Sequence, residues 1–146
     1  MSTVNIEIKD KKTLDLIKKT KIFVHGNQAL MTKFGLFQIA RMKIRTAKGI
    51  DYNGSPFKPY SPAYKLFRQS SGRSGKPNLF YSGKMLAAMI CRATSKNVVI
   101  TFASQQETNK ANKNQRTRQF FGVSQKDRID IEKLFKKELE TLVNGA

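Results

Sequence analysis

Ile90-Cys91-Arg92-Ala93-Thr94-Ser95-Lys96-Asn97-Val98-Val99-Ile100-Thr101-Phe102 is the stretch on which the fold turns. Two β-rich runs, Ile90–Thr94 and Val98–Phe102, flank Ser95-Lys96-Asn97, a polar connection of hairpin length. Near the N-terminus, Val4-Asn5-Ile6-Glu7-Ile8 alternates apolar with polar at the period of a half-buried strand. Hairpin and N-terminal strand together predict an antiparallel sheet of at least three strands. Between them, Gln28 to about Lys48 has the period of a long helix. Leu30, Phe34, Phe37, Ala40, Ile44 and Ala47 recur at intervals of three and four, and define its apolar stripe. A second set, Met31, Leu36, Ile39 and Met42, falls on other faces, which predicts a central or sandwiched helix. Gly35 costs such a helix about 1 kcal/mol relative to Ala, so it marks a place of close packing. A final helix opens at Ser124 with Asp127 as the third-position acid of a capping box, and Ile131, Leu134, Phe135, Leu139 and Leu142 line one face. The expected fold class is α+β: a small antiparallel sheet packed with a long central helix and a C-terminal helix.

The remaining segments are shorter. Asp10–Ile17 could open a short helix, and Gly26-Asn27 punctuates before the long one. Ser61-Pro62 is a helix opening, because serine caps free amides and proline at the first helical position forfeits no bond. A short helix through Tyr64, Leu66 and Phe67 should follow. Gln69 to Asn78 holds no apolar residue, and about 69–78 is expected to be a flexible basic loop, carrying Arg73 and Lys76 after Arg68. Ser82 is placed to cap another short helix from Gly83 to about Ala88. Gln105 to Gln115 reads as a weak helix or an exposed loop.

With 146 residues, the chain is expected to form one domain, 1–146, with room for a genuine core. It holds no apolar run near the length of a membrane span, so no membrane partner is expected. The first residues lack the basic-then-apolar pattern of a signal peptide. One cysteine, Cys91, excludes an internal disulfide and suits a reducing cytoplasm. The net charge is +18, and it is unevenly spread. From residue 16 to 106 one acid, Asp51, stands against sixteen Lys or Arg. Such a field attracts polyanions, whether nucleic acid or an acidic protein surface.

Most catalytic arrangements are ruled out by residue type. His25 is the only histidine, so neither a histidine metal site nor a Ser/His/Asp triad can be assembled. The carboxylates cluster at the two ends, and Asp51 more readily ties the turn made by Gly49, Asn53 and Gly54 than works as a catalyst. No glycine-rich lysine motif opens a helix after a strand. The expectation is a protein that is not an enzyme and has no cofactor or metal.

Gly49-Ile50-Asp51-Tyr52-Asn53-Gly54-Ser55-Pro56-Phe57-Lys58-Pro59-Tyr60-Ser61-Pro62-Ala63-Tyr64 follows a basic helix that carries Arg41, Arg45 and Lys48. It is followed in turn by Ser82-Gly83-Lys84-Met85 and by Arg118-Gln119-Phe120-Phe121-Gly122-Val123-Ser124 with Asp127. In this order the blocks resemble the phage virion-morphogenesis family, the tail-completion or head–tail joining proteins of Mu-like tailed bacteriophages. The resemblance implies a structural virion protein that forms a homo-oligomeric ring, a hexamer, at the neck or tail terminus. It implies connector or portal-side and tail-tube proteins as partners, and genome DNA passing through the lumen. The expected location is the virion, with the host cytoplasm during assembly. The residues selected as partner or subunit contacts are Arg41, Arg45, Lys48, Asp51, Phe57, Tyr60, Tyr64, Arg68, Arg73, Lys76 and Lys84. Basic groups interleaved with aromatics also suit single-stranded nucleic acid, and several of the rings would simply pin the loop to the core. The alternatives are therefore a basic nucleic-acid-binding protein acting on phage DNA, or a minor head or scaffolding component.

Overall fold

Strand β3 (Asn97–Phe102) is the centre of the sheet, with β1 (Val4–Glu7) on one side and β2 (Met89–Ala93) on the other. Both neighbours run antiparallel to it. Val4 stands opposite Ile100 and Ile6 opposite Val98, while Met89 pairs with Phe102 and Cys91 with Ile100. The alternation places Val98, Ile100 and Phe102 on one buried face, as a period-two pattern requires. The hairpin and N-terminal strand expected from sequence thus form the sheet. The structure is a computed structural model that describes residues 3–7, 9, 11 and 27–144, with side chains as far as Thr141. The expected helix near residues 10–17, and His25, lie outside the described residues, as does the side chain of Leu142.

Helix α1 (Gln28–Ala47) starts at Asn27, whose side chain accepts from the Leu30 amide at 2.9 Å, and packs across β2 and β3. Gly35 makes that approach possible. A Cβ there would sit 2.7 Å from both Cys91 Cβ and Val98 Cγ2, far inside van der Waals contact. The other side of α1 meets α5 (Gln125–Asn144), where the Phe34 and Phe135 rings lie 5.4 Å apart. The helix is sandwiched, as its two apolar sets predict, but the expected stripe is corrected. Leu30 and Phe34 are buried with Met31, Gly35, Gln38, Ile39, Met42 and Thr46, whereas Ala40 and Ala47 face solvent and Ile44 is 58% exposed. Specific contacts with the sheet and with α5 overrode the apolar count.

Among the described residues, three further helices complete the element order: α2 (Pro62–Ser70), α3 (Lys84–Ala87) and α4 (Gln105–Gln115). Ser61 caps α2 by accepting from the Tyr64 amide, as expected. The cap of α3 is Gly83, in left-handed backbone conformation, with Ser82 Oγ accepting only a long 3.4 Å bond from the Lys84 amide. The segment left open between helix and loop is helical. Ser104 caps α4, which turns Ala111 and Glu107 inward against the core. Phe34, Phe120 and Phe135 are fully buried, each stabilising the fold by about 2 kcal/mol through removal of apolar surface from water.

Candidate functional site: an aromatic flap braced by arginine

Asp127 is the buried hub that fixes the frame of the site. At 1% exposure, its carboxylate accepts from Gln38 Nε2 (3.0 Å), Arg41 Nε (2.8 Å), Arg45 Nη1 (2.7 Å) and the Ser124 amide (3.0 Å). Ser124 Oγ accepts in return from the Asp127 amide at 3.0 Å, which completes the capping box. Burial alone would raise the Asp127 pKa. The bonds from Gln38, Ser124, Arg45 and Arg41 outweigh it and hold the carboxyl well below the usual carboxylate range. Phe34, Gln38, Arg41 and Arg45 recur along α1 at helical spacing, so one stripe meets the ring of Phe135 and the acid of α5. Arg41 Nη1 also bridges to Asp130 at 2.9 Å, and Arg45 Nη2 donates to the Gly122 carbonyl at 2.8 Å.

The loop after α1 is tied down by its own residues and by the segment before α5. Asp51 Oδ1 accepts from the Asn53 and Ser55 amides, both at 2.9 Å, the turn-forming role its neighbours predict. Gly49 adopts φ of 74°, and a Cβ there would meet the Pro77 carbonyl at 3.1 Å. Phe57 is buried in the core. From the distant segment, the Gln119 carbonyl accepts from the Tyr52 amide at 3.0 Å. Arg118 donates to the carbonyls of Lys58 at 2.7 Å and Pro59 at 2.9 Å, with its guanidinium 4.6 Å from the Tyr60 ring centre. The basic helix, the proline-stiffened loop and the block around residues 118–127 are therefore one bonded unit.

Beyond this unit, α2 and the segment to Gly83 stand out as a flap with an inverted pattern. All of α2 is exposed except Arg68, which is 1% exposed. Arg68 Nε donates to the Ser74 carbonyl (2.8 Å), and Nη2 donates to Asn78 Oδ1 (3.1 Å) and the Phe80 carbonyl (2.8 Å). Its guanidinium also lies 4.9 Å from the Tyr60 ring centre, a cation–π contact that desolvation strengthens. Arg73 donates to the Tyr81 carbonyl at 2.9 Å and covers the Tyr81 ring at 4.0 Å. Tyr60 OH accepts from the Leu79 amide at 3.2 Å. Leu79 has φ of 55°, a left-handed conformation seldom adopted by a leucine. With Arg68 turned inward, the apolar side chains face out: Leu66 is 67% exposed, Phe80 53%, Phe67 51%, Tyr81 41% and Tyr64 39%.

Of the sequence-selected contacts, Arg73 is bound to the Ser71 and Tyr81 carbonyls and Tyr60 is half-buried beside Arg68 and Arg118; the other nine divide into three groups. Phe57 and Arg68 are both buried within the chain. Arg41, Arg45 and Asp51 spend their polar atoms inside the chain, on Asp127, Asp130, Gly122 and the 51–55 turn. Lys48, Lys76 and Lys84 are exposed, and Tyr64 is partly so. In the loop over 69–78, Arg68 and Arg73 bind the carbonyls of Ser74 and Ser71 and reach on to those of Phe80 and Tyr81. Arginine side chains replace the apolar contacts that the segment lacks. The outward-facing Leu66 and Phe67 were missed as surface groups, because an apolar residue on a short helix reads as core until the packing is known. Among the described residues no three His, Cys, Asp or Glu side chains gather as a metal-holding group, and no helix is long and apolar enough to cross a membrane. Burial pushes the Cys91 thiol up from its ordinary value, away from the reactive thiolate.

No protein-family model, curated protein or solved structure matches this chain.

Proposed function

We propose that this chain is a structural protein of a tailed-bacteriophage virion, one copy of a ring at the neck or tail terminus that completes the tail or joins it to the head. The observation that carries the reading is the flap. A helix that points leucine, phenylalanine and tyrosine side chains outward, braced from within by a buried arginine, is built to be covered by another protein. Further support comes from the blocks that resemble the virion-morphogenesis family. Residues 118–127 are distant in sequence from the basic helix and the 49–64 loop that follows it, yet they brace both, through Asp127 on Arg41 and Arg45 and through Arg118 on Lys58 and Pro59. The proposed mechanism is assembly by complementary surfaces, with closed cyclic symmetry leaving a lumen for DNA. No turnover is involved.

Exposed Lys48, Lys65, Lys76 and Lys84 enter no side-chain bond or ion pair among the described residues. That favours a second reading, in which the chain binds DNA directly with an affinity that falls steeply as salt rises. The deciding experiment is electron microscopy of lysates after the gene is inactivated in its natural genome. Filled heads separated from unjoined or overlong tails are the expected result. Complete, infectious virions would refute the structural role and bring the DNA reading forward.

A further inference from the structure

Helix α2 inverts the usual relation between a surface helix and its protein, with the cation inside and the apolar groups outside. Tyr64, Phe67 and Tyr81 form a row, with successive ring centres 6.1 Å apart and interplanar angles of 27° and 7°. Leu66 and Phe80 extend the exposed apolar surface. Beside it runs a groove of about 500 Å³ that shares Tyr64 and Tyr81 with the row and is also lined by Ser61, Ser82, Lys110 and Arg118.

Charge decides between the occupants of this surface. Between Asp51 and Glu107 the chain has no carboxylate and eight Lys or Arg, so the flap belongs to the most one-sidedly positive part of the molecule. A second copy would bring the same positive flap, and on α5 the exposed charges are Lys126, Arg128, Lys133, Lys136 and Lys137 against Glu140, with Glu132 half-buried and Asp130 and Glu138 paired to Arg41 and Lys33. Like charges at close range oppose that pairing. Nucleic acid is disfavoured for a different reason. The guanidiniums nearest the rings are committed: Arg68 to Ser74, Asn78 and Phe80, Arg73 to Ser71 and Tyr81, Arg118 to Lys58 and Pro59. They shape the patch and do not present free forks to phosphates. The free charges nearby are lysines at the rim, Lys65 on α2 and Lys84 on α3, placed to steer an acidic partner and to hold it at its edges.

We propose that the flap is the docking surface for an acidic protein segment with apolar anchors. Its leucine- or aromatic-type side chains cover Leu66, Phe67 and Phe80, and its carboxylates meet Lys65 and Lys84 at the rim. The proposal deepens the virion reading by naming the chemistry of one partner, and rests on that reading only in that the chain acts by docking to proteins. The partner's acidity reverses the sign of the surface it meets, and its apolar anchors cover side chains that this chain leaves in water.

The test uses the whole purified chain and a fluorescent amphipathic peptide of about 16 residues, Glu on one helical face and Leu on the other. Fluorescence anisotropy compares it with a Leu→Ser peptide, a Glu→Gln peptide and an oligothymidylate of matched charge. The parent peptide should bind, and each substituted peptide should bind at least about tenfold more weakly. The double variant Leu66→Ser/Phe67→Ser, on side chains outside the core, should lose the parent peptide by a similar factor while its circular dichroism and its oligothymidylate affinity stay unchanged. Any of three outcomes overturns the proposal: unchanged peptide affinity in the double variant, an equal loss of oligothymidylate binding, or a wild-type oligomer in sedimentation velocity that the double variant dissolves. Because the assay needs no virion, its failure leaves the lysate experiment standing, and the converse also holds.

Discussion

Replacing Asp127 with Asn tests whether the arginines of α1 hold the frame together or serve a partner. In the fold the carboxylate accepts from Arg41 at 2.8 Å, Arg45 at 2.7 Å, Gln38 at 3.0 Å and the Ser124 amide at 3.0 Å, and is 1% exposed. An asparagine of the same shape keeps one acceptor oxygen and turns an NH2 towards a donor. Two charge-assisted bonds are lost, each with a net value of about 1.5–3 kcal/mol. Removing one member of a buried ion pair costs about 3–5 kcal/mol. The side chains of Arg41 and Arg45 are 27% and 14% exposed, so water softens the loss. The expected destabilisation is about 3 kcal/mol, near the lower limit, with a fall in Tm of about 10 °C for a domain of this size. Urea unfolding followed by circular dichroism reads it directly, and Arg45→Met in the Asp127→Asn background should cost far less than in wild type. Acidity gives an independent reading. The folded pKa of Asp127 is depressed, so its stabilisation is present above the unfolded value of about 3.9 and is lost as pH falls through the folded value. The gap between wild type and Asp127→Asn should therefore shrink as pH drops below about 4. A loss under about 1 kcal/mol at pH 7, or a gap indifferent to acid, would refute the structural assignment of Arg41 and Arg45.

Two other substitutions probe the packing and the flap. Gly35→Ala should gain about 1 kcal/mol of helix propensity but lose more, about 2–3 kcal/mol, to the 2.7 Å approaches on Cys91 and Val98; a variant as stable as wild type in thermal melts would show that the α1–sheet spacing is looser than described. Arg68→Ala removes three bonds to the 74–80 segment without opening the main core, so trypsin should cut at Lys65 or Arg73 about tenfold faster while the global Tm moves little. Equal cleavage rates would mean that the flap does not depend on its arginine.

Period and punctuation made much of the architecture legible. The hairpin, the strand at Val4, the long helix from Gln28 and the capped helix after Ser124 each rest on a local rule, alternation, helical spacing or a cap, that operates within a few residues. Charge imbalance was equally plain, since composition needs no folding to be read. Only the tertiary structure could say which way each side chain points. On α1 the face towards α5 runs from Phe34 through Gln38 to Arg41 and Arg45, a stripe invisible to any apolar count because its partner, Asp127, is more than 80 residues away. On α2 the same physics gives the opposite sense. Arg68 turns inward to bind the Ser74 and Phe80 carbonyls, while Leu66 and Phe67 stay in water. Local sequence determines the elements because their bonds are local. The site is set by long-range pairing of polar groups, which only the closed chain decides.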